Sequence, residues 1–233
     1  MKRVVINQSN YIPWKGYFDL IHDADIFIFY DDIQYTKQDW RNRNKLKSRE
    51  GSLWITVPVG KDINRLISDV SISTKKWQNK HFKTLFQLYS KSPFFDYCEN
   101  LLEQIYIKNQ WQNLSDLNQF IIKSIAKNYF GSDTIFLRSS DYPCSGRGEE
   151  RIITLLEAVN ADVYISGPAA SAYLNPETYK RKNIKLVWKD YSGYPEYPQF
   201  NPPFDHAVSI LDLLFHTGPE ASYYIWGWRS GIK

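Results

Sequence analysis

Between Tyr30 and Leu46 the chain reads Tyr-Asp-Asp-Ile-Gln-Tyr-Thr-Lys-Gln-Asp-Trp-Arg-Asn-Arg-Asn-Lys-Leu. Carboxylates, amides, aromatics and cations are mixed there in a way that no hydrophobic core requires. Asp31 and Asp32 are adjacent, so at a strand end their side chains point to opposite sides and do not form a paired acid–base dyad. Either can act as a general base or orient an amine or hydroxyl, beside Gln34 and Tyr35; the competing reading is turn chemistry, which Asp favours. In Trp40-Arg-Asn-Arg-Asn-Lys45, Arg41 and Arg43, or Lys37 and Lys45, can pair with a diphosphate, and Trp40 can stack on a base or a sugar face. A solvated charged turn is the alternative.

Other loops carry a second tier of candidates. Asn10, Tyr11, Pro13, Trp14 and Gly16 follow the first strand, where backbone amides at a helix start can receive an anion. Gly146-Arg147-Gly148 before the helix at Glu149 permits the same reading and matches neither the P-loop nor the dinucleotide pattern. Ser166-Gly167-Pro168 ends a strand without the flanking glycines of a nucleophile elbow, so capping competes with catalysis there. Of the histidines, His22 follows an apolar helix face, His81 falls in a helical stretch and His216 closes the last helix. Only His206, after a Pro/Asn-rich loop, is a catalytic candidate. Tyr191, Tyr194, Tyr197 and Gln199 precede it in an aromatic loop that either walls a sugar pocket or covers a sheet edge.

The elements that must position these residues follow from hydrophobic period. Strands are expected at Val4–Asn7, Ile26–Tyr30, Leu53–Pro58, Thr134–Leu137, Val163–Ser166 and Lys185–Trp188, with helices at Tyr17–His22, Glu149–Val159 and Ser209–Phe215. From about residue 74 to 130 the period is helical, which reads as an insertion or cap within one α/β domain spanning 1–233. Strands separated by helices imply right-handed crossovers and a Rossmann-like, mostly parallel sheet. The chemistry-bearing segments, Gln8–Gly16, Asp31–Lys45, Ser139–Gly148, Gly167–Tyr173 and Asp190–Asp205, then all follow strands. Open α/β sheets bind ligands outside the carboxyl ends of their strands.

With 233 residues, 43% hydrophobic and 23% charged, the chain can bury a full core, and disordered or fibrous classes are excluded. Aromatics reach 16%, with 17 Tyr and 8 Trp, whose polar tips suit flat, hydroxyl-rich ligands. The net charge of +4 is spread over mixed-sign segments and does not demand nucleic acid. Two cysteines, Cys98 and Cys144, sit in no metal-ligand or disulfide spacing, so no metal is expected and a reducing cytoplasm fits best. No run of 18 apolar residues predicts membrane insertion.

In order along the chain, Gln8-Ser-Asn-Tyr-Ile-Pro-Trp-Lys-Gly-Tyr-Phe18, Tyr30-Asp-Asp-Ile-Gln-Tyr35, Trp40-Arg-Asn-Arg-Asn44, Trp54-Ile-Thr-Val-Pro-Val59, Tyr164-Ile-Ser-Gly167 and Ser209-Ile-Leu-Asp-Leu-Leu214 resemble the WbqC-like family. Ser9 departs from the family's usual Pro. The resemblance implies a role in O-antigen and other lipopolysaccharide or surface-polysaccharide biosynthesis, with transfer of glycine or another acyl group to an amino sugar. Such a transferase needs a base, for which Asp31, Asp32 and His206 are the candidates, and oxyanion donors, for which Asn10, Tyr11 and Asn42 qualify. Lys37, Arg41 and Arg43 would hold a nucleotide diphosphate. Gln8, Gln34, Tyr35, Trp40, Ser166, Gly167, Tyr191, Tyr197 and Gln199 complete the expected substrate wall. Direct aminolysis of an activated ester needs no enzyme nucleophile and no cofactor; the donor would be an aminoacyl-tRNA, an acyl-CoA or a carrier-protein thioester. The alternatives are a non-catalytic sugar-nucleotide binding protein and a nucleotidyl-transfer enzyme, although His22 stands alone where the latter carries paired histidines.

Overall fold

The chain runs β1 (Arg3–Asn7), α1 (Lys15–Asp23), β2 (Ile26–Phe29), β3 (Arg43–Ser48), β4 (Gly51–Thr56), α2 (Lys76–Tyr89), α3 (Glu99–Glu103), α4 (Leu114–Asn128), β5 (Ile135–Arg138), α5 (Glu149–Ala158), β6 (Val163–Ser166), α6 (Pro176–Arg181), β7 (Lys185–Trp188) and α7 (Ile210–Thr217). This computed structural model describes residues 1–143 and 145–231. Five strands form one parallel sheet in the order β5-β2-β1-β6-β7. It is a mixed α/β fold of the Rossmann-like kind, as the strand–helix alternation predicts.

Both faces of the sheet are covered, and the strand residues divide between them by their two-residue period. Val5, Phe27, Phe29 and Ile165 point to one face, where α1, α2, α3, α4 and α7 pack on them through Phe18, Leu85, Leu102, Ile121 and Phe215. Val4, Ile6, Ile26, Ile28 and Tyr164 point to the other, under Ile152, Leu155 and Leu156 of α5 and Tyr179 of α6. The helices of the first half thus cover one face together with the C-terminal α7, and α5 and α6 cover the other. The strand order reverses between β1 and β6, the position at which such sheets open a crevice.

The helical stretch expected at 74–130 holds α2, α3 and α4, whose buried residues share one continuous cluster with the sheet. Two expectations change. The loop anticipated up to Lys45 ends at Arg43, where β3 begins and pairs antiparallel with β4, away from the main sheet. Asn44, Leu46 and Lys47 are its buried positions while Arg43 and Lys45 face outward, so the interspersed charges mask the period. Gly51, at φ +110°, takes the backbone through the turn between the two strands. Cys98 is buried with a free thiol, and Cys144 lies outside the described residues.

Candidate functional site at the switch point

At the reversal between β1 and β6 lies a cavity of about 340 Å³. Asn7 and Gln8 reach it from β1, Tyr30 from the end of β2, Ser166 and Gly167 from β6, and Tyr191 from beyond β7. Tyr164 and Tyr173 add two further rings. The Tyr191 ring packs edge-on against Trp14 at 5.1 Å between centroids. Trp14 in turn needs the next turn of backbone close: a Cβ on Gly16 would sit 2.2 Å from its indole.

Beside this crevice, a second cavity of about 210 Å³ is almost wholly polar, bounded by Asp31, Asp32, Ser115, Gln119, Arg138 and Ser139 among others. The two adjacent aspartates have different fates. Asp31 is buried and saturated: one carboxylate oxygen accepts from the Ser9 amide at 2.8 Å, the other from the Ser115 hydroxyl and from Gln119 Nε2 at 3.2 Å. Ser115 and Gln119 are four residues apart on α4 and therefore share the face that meets Asp31. Asp31 consequently fastens the first two loops to α4 through three hydrogen bonds, while still lining the polar cavity. Asp32 accepts from Ser139 Oγ and is paired with Arg151 Nη2, yet remains on the cavity wall. The Arg151 guanidinium also lies 5.9 Å from the centroid of Tyr30. Arg151 therefore joins the aromatic crevice to the polar cavity.

Arg41 connects the Trp40–Asn44 stretch to the first loop. Its guanidinium donates to Asn10 Oδ1 and Gln8 Oε1 and lies 3.5 Å from Asp39. Its Nε is buried without a partner. The other polar members of the two motifs are interior fastenings, which revises their expected role as oxyanion donors. Asn42 Nδ2 donates to the Val57 carbonyl at 2.9 Å, and Tyr11 is fully buried with its hydroxyl between Tyr106 Oη at 2.7 Å and His81 Nδ1 at 2.9 Å. Burial pushes the Tyr11 phenol well above its usual range.

The remaining predicted residues separate into other neighbourhoods. Gln34 Nε2 donates to the Ile63 carbonyl at 2.6 Å, and buried Tyr35 lies beneath Arg65. Lys37, Trp40 and Arg43 lie on the outward side of the β3–β4 hairpin and its preceding turn, remote from the crevice lining. Tyr197 and Gln199 bond the buried Asp212 carboxylate at 2.6 and 2.8 Å, so they hold the aromatic loop down and do not wall a pocket. His206 packs on Phe204 at 4.6 Å, and burial lowers its pKa. It is absent from the lining of both cavities. The structure therefore brings together Gln8, Ser166, Gly167 and Tyr191, places Asp32 alongside, and attaches Arg41 through Gln8 and Asn10 through Arg41.

Residues that sequence reasoning missed include Arg151, Ser139, Ser115 and Gln119. Ser139 opens a loop already marked as following a strand; Arg151 and the α4 pair lie on helices and carried no such signal. Lys15 was also missed: its ammonium is buried without a hydrogen-bond partner among the rings of Tyr194, Tyr197 and Phe204, at 4.8, 5.6 and 5.8 Å. Desolvation lowers its pKa to about 8.

No helix among the described residues is long and apolar enough to cross a membrane. No solved structure matches the chain. An uncharacterized protein, Rv1507c, from Mycobacterium tuberculosis (strain ATCC 25618 / H37Rv) is 43% identical over 228 residues, covering 97% of this chain and 98% of the relative. The model of the WbqC-like protein family matches residues 8–224, from the crevice residue Gln8 to beyond α7. Over almost its full length, then, the chain belongs to the WbqC-like protein family.

Proposed function

We propose that the chain is a transferase that moves an aminoacyl group, glycine foremost, or another acyl group onto the amine of a nucleotide-linked amino sugar in surface-polysaccharide biosynthesis. The observation that carries this reading is the side-by-side arrangement of a tyrosine-rich crevice at the switch point and a polar cavity presenting Asp32, with Arg151 touching one wall residue of each, Tyr30 and Asp32. A crevice of that size and lining suits one flat ring, a base or a pyranose. Arg151 supplies a fork for a phosphate or carboxylate oxygen.

In the reaction the sugar amine attacks the acyl carbon directly. The new N–C bond forms, the bond from the acyl carbon to the donor's oxygen or sulfur breaks, and the amine's proton passes to Asp32 and on to the leaving group. Gln8, held by Arg41, and the backbone after β6 are the nearest groups for positioning the substrate. The test is a thermal-shift screen of UDP- and dTDP-linked amino sugars, followed by mass spectrometry of mixtures containing activated glycine donors. A raised melting temperature and an acylated sugar are expected. The absence of a shift with every nucleotide sugar overturns the reading.

One observation favours a second reading, a binding protein without turnover: both oxygens of Asp32 already have partners. Binding without product under any donor would select it.

A further inference from the structure

The outward face of the β3–β4 hairpin is built unlike the rest of the surface. Trp40 and Trp54 are each 41% exposed, and their rings lie 5.3 Å apart at 34°. Arg43 sits 4.2 Å and Lys45 5.4 Å from the centroid of Trp54. The register explains the grouping: Lys45 pairs directly with Trp54 and Arg43 with Thr56, so all four share one face while Leu46 and Ile55 go to the core. Arg43 also donates to the Gln38 carbonyl, which ties the Trp40 turn to the hairpin, with the exposed Lys37 next to Gln38 in the chain. Two acids beside this face are already engaged. Asp39 is bound by Thr36, the Trp40 amide and Arg41, while Asp205 accepts from Ser52 and the Ala207 amide.

Exposed tryptophans interleaved with cations are the surface chemistry that binds unpaired bases and their phosphates. A neutral saccharide would use the rings and leave the cations without function; an apolar protein partner would have to desolvate them. From this charge complementarity we infer that the hairpin face docks single-stranded RNA, the Trp40–Trp54 pair stacking a base and Arg43, Lys45 and Lys37 meeting the phosphates. The inference stands apart from the crevice's reaction. Combined with the transferase reading, and resting on it in this clause alone, it selects an RNA-borne aminoacyl donor.

The test is fluorescence anisotropy of a labelled 12-nucleotide RNA with the full chain, titrated at several salt concentrations and without any sugar or donor. Micromolar binding that weakens with salt is expected. Trp40→Ala lies in a turn and leaves the hairpin register intact; it should weaken binding about tenfold. Lys45→Gln should lower the salt slope by about 0.7. The same sequence as a duplex should bind less well, because its bases are closed. Unchanged melting temperatures for the two variants show that the hairpin has kept its fold. Failure of RNA to bind at low salt, binding indifferent to both variants, or preference for duplex would each overturn the inference. Because no turnover is measured, its failure leaves the crevice reading standing, and RNA binding by a chain that shifts with no nucleotide sugar would separate the two in the opposite direction.

Discussion

Arg229 grips both carboxylate oxygens of Asp19, at 2.9 and 2.8 Å, although 210 residues separate them in the chain. Asp19 is fully buried on α1 and also accepts from Lys189 Nζ at 2.7 Å and from the Tyr194 hydroxyl at 2.6 Å. The first crossover helix, the end of β7 and the final turn of the described chain are thereby joined at one carboxylate.

Asp19→Ala should therefore cost about 3–5 kcal/mol of stability, since it leaves the buried Lys189 with Asp23 as its remaining carboxylate partner beside the residue-19 carbonyl. Arg229→Ala removes only the more exposed cation and should cost less. Urea unfolding of the two variants checks the order; equal losses would show that Lys189 is not the group left stranded.

Acid stability should depend on His81. Its Nε2 faces the Thr56 carbonyl at 3.1 Å and its Nδ1 the Tyr11 hydroxyl, which fixes a neutral ring donating from Nε2. Burial lowers its pKa from 6.5 to about 4. Between those values the unfolded chain binds more protons than the folded one, so stability falls as the pH drops from 6.5 towards 4. The slope from this group is at most about 1.4 kcal/mol for each pH unit. His81→Gln should flatten that part of the profile, measured by urea midpoints from pH 4 to 7.

Lys15 predicts a pH trend of the same sign in a higher window. A buried ammonium with a lowered pKa opposes folding below about 8, and the opposition fades as the pH rises from there to 10.5. Lys15→Met keeps the stem's packing and removes the charge, so it should raise the melting temperature at pH 7, with the difference narrowing towards pH 10. A lower melting temperature at pH 7 would instead show that the contacts with the three rings outweigh desolvation.

The two aspartates should separate cleanly by substitution. Asp31→Asn turns an amide donor towards groups that already donate and should cost roughly 1–3 kcal/mol for each donor left unmatched. Asp32→Asn lies on a cavity wall and should change stability far less, while weakening the thermal shift with a nucleotide sugar and lowering any transfer at least tenfold. Equal stability losses, with ligand response intact in both, would remove Asp32 from the site.

The parallel sheet was legible because its strands are short apolar runs separated by helical periods, and the polar segments after those strands cluster at the edge where the crevice opens. The individual roles were less so. Tyr11, Asn42, Tyr197 and Gln199 are polar residues in loops, the usual sign of a ligand contact, but each spends its polarity on a carbonyl, hydroxyl or carboxylate inside the protein. Asp31 and Asp32 differ in which neighbours reach them, and apart from the Ser9 amide those neighbours come from α4, the loop after β5 and α5, more than 80 residues away in sequence. Pairings of that range leave no local pattern. The β3 strand was hidden for a different reason: its outward face is cationic, so its alternation resembles a charged loop.

The close approach of Gly16 to Trp14 has a consequence for the crevice on the far side of that indole. Tyr191 leans on Trp14, so the position of this wall depends on a hydrogen where every other amino acid carries carbon. Gly16 behaves as a spacer of zero thickness. An alanine there would push the indole outward and Tyr191 with it, altering the aperture of the crevice without changing any group that lines it, so the size of ring the crevice admits can be adjusted from behind the site.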